Sequence, residues 1–208
     1  MKEAVVFLAD GFEEIEAVTV IDYLRRAGVS VRTVAVPSPD MGDEAVPCGS
    51  HGIPIRADCT LRQLLDGGAA LPDAAYVPGG MPGASNVAAC GGALDFLKRC
   101  FKAGKIVSAL CAAPAVVLAR TGILAGRRWT CYPGMEDGVG GYCGSPEAAA
   151  ECLKGSSHVP GVPFVVDGTV VTGSGPGTAE PFAMQLVELL AGAETADTVR
   201  AASIQRQP

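Results

Sequence analysis

The chain has 208 residues, 49% hydrophobic and 18% charged, with a formal net charge of −6. Its 16 Lys and Arg form no run longer than Arg25-Arg26 or Arg127-Arg128, which argues against nucleic-acid binding and for small-molecule or protein partners. The length suits one domain with a substantial core, so residues 1–208 are expected to fold as a single domain.

Short apolar, β-branched runs alternate with stretches of helical periodicity, the pattern of a mostly parallel sheet covered by helices on both faces. A strand is expected at 4–9 (AVVFLA), then a helix at 13–27 whose apolar positions are Ile15, Val18, Ile21, Tyr23 and Leu24, with Gly28 ending it. A second strand follows at 30–36. Residues 36–56, rich in Pro, Gly, Asp and Ser, read as an excursion with at most short strands. Further strands are expected at 74–78, 106–110 and 128–131, and helices at 84–102, 112–121 and 179–191. The glycine-rich stretch 133–161 reads as an irregular connection. The segment VPFVVDGTVVTG (162–173) reads as an antiparallel hairpin turning at Asp167-Gly168. After Gly192 the tail allows a short helix, with its last residues frayed.

The opening stretch carries only a six-residue apolar run before Asp10 and Gly11, too short for a signal sequence or a membrane span. A cytoplasmic protein beginning at Met1, with no membrane partner, is the expectation. Eight cysteines and two histidines, His51 and His158, show no C-x-x-C spacing. No metal site is expected from that spacing, and free thiols are expected rather than disulfides.

Ligands of open α/β sheets bind beyond the carboxyl ends of the strands. Those positions carry DGFEEIE, GGMPGA, CAAP and GSGPGT. Around Cys111, Ala109 and Ala113 are the small residues that a nucleophile elbow needs two before and two after the nucleophile. The expected helix start behind the sulfur should lower its pKa, and Pro114 suits a first helical turn. Gly79-Gly80 could present backbone N–H groups to an oxyanion, and Glu16 could share a proton with the sulfur. Each feature also has a plain alternative: a packed thiol, an ordinary turn, a solvated glutamate.

The blocks GFEEIEAVTVIDYLRRAG, VPGGMPGA, IVSALCAAPAVVLA and GSGPGTAEPFAMQLVE together resemble the ThiJ/PfpI superfamily, closest to its Parkinsonism-associated deglycase branch, over about residues 3–192. The resemblance implies a flavodoxin-like three-layer α/β sandwich and a homodimer. Cys111 matches the family's reactive cysteine and Glu16 its buried glutamate. Gly80 and Ala112 match the positions whose amides bind an oxyanion, with Gly79 beside them. Proteases of the superfamily have His directly after the cysteine, where this chain has Ala112. Tyr132 stands where many animal members have His, and Ser174 where some have Arg. His51 falls in a loop that approaches the partner's site in such dimers.

The resemblance thus implies a cofactor-independent cysteine enzyme acting on small aldehydes or glycated substrates. In it Cys111 adds to the carbonyl and a protonated Glu16 relays the proton. The alternative is a redox sensor or protective chaperone using the same cysteine. Peptide hydrolysis and thiazole-phosphate biosynthesis fit less well, because Ala112 replaces the expected base and no Lys/Arg cluster suits a phosphate.

Overall fold

The computed structural model describes residues 1–38, 45–68 and 70–205. The middle of the 36–56 excursion and the expected frayed end at 206–208 lie outside the described residues. In chain order, β1 (Glu3–Leu8) alternates sides: Val5 and Phe7 enter one core, Ala4, Val6 and Leu8 the other. That is the period-two pleat of a strand buried on both faces. α1 (Glu14–Arg26), β2 (Ser30–Ala35), the short β3 (Cys59–Thr60) and α2 (Leu61–Asp66) follow. α2 opens on a capping box: the Gln63 N–H donates to Thr60 Oγ1, and the Thr60 N–H donates to Gln63 Oε1.

Next come β4 (Ala74–Val77), α3 (Gly83–Ala89), α4 (Gly91–Lys102), β5 (Ile106–Leu110) and β6 (Arg128–Trp129). After them run α5 (Val139–Tyr142), α6 (Pro146–Cys152), β7 (Ser157–His158), β8 (Phe164–Asp167), β9 (Val170–Gly173), α7 (Ala179–Ala191) and α8 (Ala193–Ala202). The seven-stranded sheet has the order β3-β2-β1-β4-β5-β9-β8 and is parallel except for the β8–β9 hairpin. Val87, Phe96, Leu97 and Val117 pack on one face; Val20, Leu24, Phe182, Leu186 and Val199 pack on the other. This is the expected three-layer α/β sandwich. The chain leaves β1 for β2 and β3 on one side and returns to β4 on the other, so a switch point opens between β1 and β4.

Several expectations are corrected. The helix expected at 84–102 breaks at Cys90, which is extended (φ −90°, ψ 100°) and precedes two glycines of poor helix propensity. The α-helix expected at 112–121 winds as a π-turn over Pro114–Leu118 and then a 3-10 turn over Ala119–Thr121. Its side chains from Ala112 to Ala119 are all buried, so packing outweighs the ordinary α winding. The strand at 128–131 stays outside the main sheet: β6 pairs with β7 in a separate two-stranded ladder. The hairpin pairs Asp167 with Val170, so its turn residues are Gly168 and Thr169, one position later than expected. Within 133–161, α6 is capped by the Ser145 side chain and starts at Pro146, a start signal in the sequence. Finally, Ile15 and Val18 of α1 are exposed, while Glu14, Glu16, Ala17, Val20, Ile21 and Leu24 face inward. The inward face of α1 is therefore rotated toward its two carboxylates.

Candidate active site

Three strand ends meet at the switch point. Beyond β1, the first turn of α1 carries Glu16, which is fully buried. Its backbone position is held by Tyr76 of β4, whose buried hydroxyl donates to the Glu16 carbonyl at 3.2 Å. Beyond β4, the Gly79 N–H donates to Glu16 Oε2 at 2.7 Å. A Cβ on Gly79 would stand 2.5 Å from Cys111 Cβ and 2.8 Å from Glu16 Oε2, so only glycine lets the three segments approach this closely.

Cys111 follows β5 with φ +61°, in the left-handed region that a non-glycine residue enters at a cost of about 1–3 kcal/mol. Two main-chain hydrogen bonds hold it there: its N–H donates to Gly173 O at 2.9 Å, and the Tyr132 N–H donates to its carbonyl at 2.8 Å. The result is the sharp elbow expected from the small flanking residues, with a half-buried sulfur. The Gly80 and Ala112 amides both favour negative charge on that sulfur.

The electrostatics reverse one expectation. Burial pushes the Glu16 carboxyl up to about 7, against the Gly79 N–H and the Cys111 thiol, which favour its charge. Burial also pushes the Cys111 thiol up to about 12, followed by the neighbouring Glu16 carboxylate; the two amides only moderate this. A helix start was expected to lower the sulfur's pKa, but a desolvated thiol beside a carboxylate is governed by those larger effects. Among the described residues Glu16 Oε1 has no hydrogen-bond partner, and the Cys111 thiol stands close enough to hold the carboxyl's pKa down somewhat against burial.

The remaining sequence candidates lie apart from this pair. The Tyr132 side chain is 49% exposed and turns into a neighbouring cavity of about 590 Å³. Cys111 does not line that cavity, whereas Ser174 does. His51 sits in a loop tied to the end of β1, through Gly11 N–H to Cys48 O and Ser50 N–H to Phe12 O. Its Nδ1 lies 2.8 Å from Glu14 Oε2, and Glu14 raises its pKa. Its described partners are Glu14, Glu13 and Ser50 rather than Cys111. The buried Glu14 and Tyr76 were missed in the sequence. A tyrosine inside AAYVP was a visible sign of a polar anchor; nothing in the pattern marked Glu14.

Among the described residues no helix is long and apolar enough to cross a membrane. The sequence model of the DJ-1/PfpI family matches residues 2–189. The chain is 34% identical over 198 residues to protein dj-1beta of Drosophila melanogaster, covering 95% of this chain and 94% of that protein. It is 32% identical over 201 residues to the glutathione-independent glyoxalase DJR-1.2 of Caenorhabditis elegans, at 95% and 94% coverage. The DJ-1 homologues B and A of Arabidopsis thaliana are longer, and the chain spans 42% and 45% of them. Its fold resembles the crystal structure of Drosophila DJ-1beta with a TM-score of 0.83 and 30% identity, over 99% of both chains. A DJ-1 superfamily protein from Salmonella typhimurium gives 0.82 and 32% identity, over 100% of both. With the family model spanning residues 2–189 and relatives above 30% identical over nearly the whole of both chains, the chain belongs to the DJ-1/PfpI family.

Proposed function

We propose that the protein is a cofactor-independent cysteine enzyme of the glyoxalase type, converting small reactive dicarbonyls such as methylglyoxal to 2-hydroxy acids. The observation that carries this reading is the contact of a left-handed Cys111 with a buried carboxyl whose pKa is near neutrality. A base titrating near 7 is well matched to proton transfer at neutral pH. The Glu16 carboxylate takes the thiol proton as sulfur adds to the aldehyde carbon, so no free thiolate accumulates. The resulting oxyanion lies against the Gly80 and Ala112 amides, and Glu16 returns the proton to give a neutral hemithioacetal.

The carboxylate then removes the proton from the former aldehyde carbon and delivers one to the adjacent carbonyl carbon. That leaves a thioester of the hydroxy acid, which water hydrolyses to regenerate the thiol. The aldehyde carbon is oxidised and its neighbour reduced, so methylglyoxal and water give lactate with no external oxidant. Deglycation would use the same first step on a glycation adduct. Loss of turnover in Cys111→Ser supports the proposal; equal turnover by that variant and the wild type would sink it.

A second reading, oxidation sensing, is favoured by the unpartnered Glu16 Oε1 beside the sulfur and its two amides, which could hold the oxygens of a sulfinate. Mild peroxide should then add two oxygens selectively at Cys111, read by mass spectrometry; indiscriminate oxidation of the other cysteines would exclude it. A homodimer and a cytoplasmic location belong to the same proposal. Ile15 and Val18, 56% and 47% exposed on α1, are the apolar face we assign to the dimer. A monomeric wild type in light scattering would remove that assignment.

A further inference from the structure

Three side chains unused by the carbonyl chemistry converge on the cavity beside Tyr132. Cys131 lies just past β6, Glu136 in the 3-10 turn over Glu136–Gly138, and His158 at the end of β7; all three line the cavity. Cys131 Sγ is 3.8 Å from His158 Nε2 and 3.7 Å from Glu136 Oε2. His158 Nδ1 is 3.8 Å from Glu136 Oε1, and one donor atom from each residue falls within 4.8 Å of the other two. We propose that Cys131, Glu136 and His158 form a binding site for one thiophilic divalent cation of the zinc class, with a fourth coordination position open to the cavity.

The geometry supports chelation over a proton relay. Bonds of about 2.3 Å to sulfur and about 2.0–2.1 Å to nitrogen or oxygen set tetrahedral ligands roughly 3.3–3.6 Å apart. The separations from the sulfur to Nε2 and to Oε2 need only a few tenths of an ångström of closure, and the carboxylate and the ligating ring nitrogen start within 4.8 Å of each other. In a linear Cys-His-Glu relay the carboxylate lies across the imidazole from the sulfur. The approach of Glu136 Oε1 to His158 Nδ1 has that form, but Glu136 Oε2 also reaches the sulfur, which a relay does not require and a shared cation does. Thiolate and carboxylate together neutralise a dication, the thiol proton leaving to solvent on binding. Thiolate with imidazole selects zinc or cobalt over magnesium and calcium, which prefer oxygen.

The site is also braced. β6 and β7 pair Trp129 with His158, and the Trp129 ring packs 4.9 Å from the imidazole. Cys131 is nearly fully buried. With ligands at 131, 136 and 158, no short spacing in the chain announces the cluster, which is why the sequence argued against a metal.

The test uses the purified full chain, reduced and stripped with chelator, titrated with Co²⁺. One equivalent per chain should bind with a thiolate-to-cobalt charge-transfer band, be displaced by Zn²⁺, and quench Trp129, the only tryptophan. Cys131→Ser should abolish the band. His158→Gln should weaken binding at least ~10-fold and lessen the quenching, which keeps the test decisive if Cys131→Ser misfolds. Cys111→Ser should retain both signals, so the outcome is independent of the carbonyl chemistry. Lack of stoichiometric Co²⁺ binding, a band surviving in folded Cys131→Ser, wild-type affinity in His158→Gln, or loss of the band in Cys111→Ser would overturn the assignment.

Discussion

Glu14 and Glu16 stand two residues apart in the first turn of α1, and both are buried, yet their acidities move in opposite directions. Burial pushes each carboxyl up. For Glu14 that push is overcome by hydrogen bonds, first from the His51 side chain and then from backbone N–H groups including those of His51 and Ile53. Glu16 has one strong donor, the Gly79 N–H, and a thiol beside it, so burial prevails. Glu16 is the more deeply desolvated of the two and has the fewer donors, and together these decide which carboxyl is lowered and which is held near neutrality.

The comparison is most sharply broken at Glu16 itself. Glu16→Gln should lower kcat/KM for methylglyoxal by about 10²–10⁴-fold. Wild-type activity should rise as pH increases through about 7, where the carboxyl ionises, and Glu16→Gln should lose that limb. A variant with an unchanged pH–rate profile would remove Glu16 from the proton path.

The next largest effect is expected at Gly79→Ala, because its methyl would sit between Cys111 and Glu16. Overpacking of this kind costs about 1–3 kcal/mol. Urea unfolding should show that loss together with a fall in turnover; wild-type stability would mean that the three strand ends are more loosely packed.

The third prediction concerns stability against pH. Glu16 is raised in the folded state, so its contribution is fully present below pH 4.5 and is lost as pH rises through about 7, on the order of 3 kcal/mol at ~1.4 kcal/mol per pH unit. Glu14 is lowered, so its contribution is present above pH 4.5 and lost as pH falls through its folded value. Relative to wild type, Glu16→Gln should gain stability as pH rises from about 5 to about 8 in urea titrations, whereas Glu14→Gln should lose it as pH rises from about 3 to about 5. The same sign for both variants would refute the contrast.

The smallest effect is expected for His51→Ala. Its exposed ring is one of several Glu14 partners, so the folded-state pKa of Glu14 should rise by NMR titration while the unfolding midpoint barely moves.

Much of the frame was legible in the sequence because it depends on local periodicity. The alternation of β1 and the limits of α7 follow from patterns read over a few residues. The elbow was legible too, since Ala109, Ala113 and Pro114 restrict what the chain can do around Cys111. Thr60-x-x-Gln63 and Ser145-Pro146 were equally local, and α2 and α6 could have been found from them. Ile15 and Val18 misled because apolar spacing on α1 is compatible with more than one buried face. The choice was made by what Glu14 and Glu16 bond to, His51 and Gly79, far away in the chain.

The sequence by itself determined the α/β alternation, the strand-end position of Cys111 and the small residues it needs, since all are set by backbone sterics and side-chain pattern over short windows. Tertiary structure alone decided the acidities and the partnerships. It set Glu16 against Glu14, raised the Cys111 thiol when a helix start promised to lower it, and gathered Cys131, Glu136 and His158 around one cavity. Desolvation and hydrogen bonding depend on neighbours brought together by the fold, and no local window contains them.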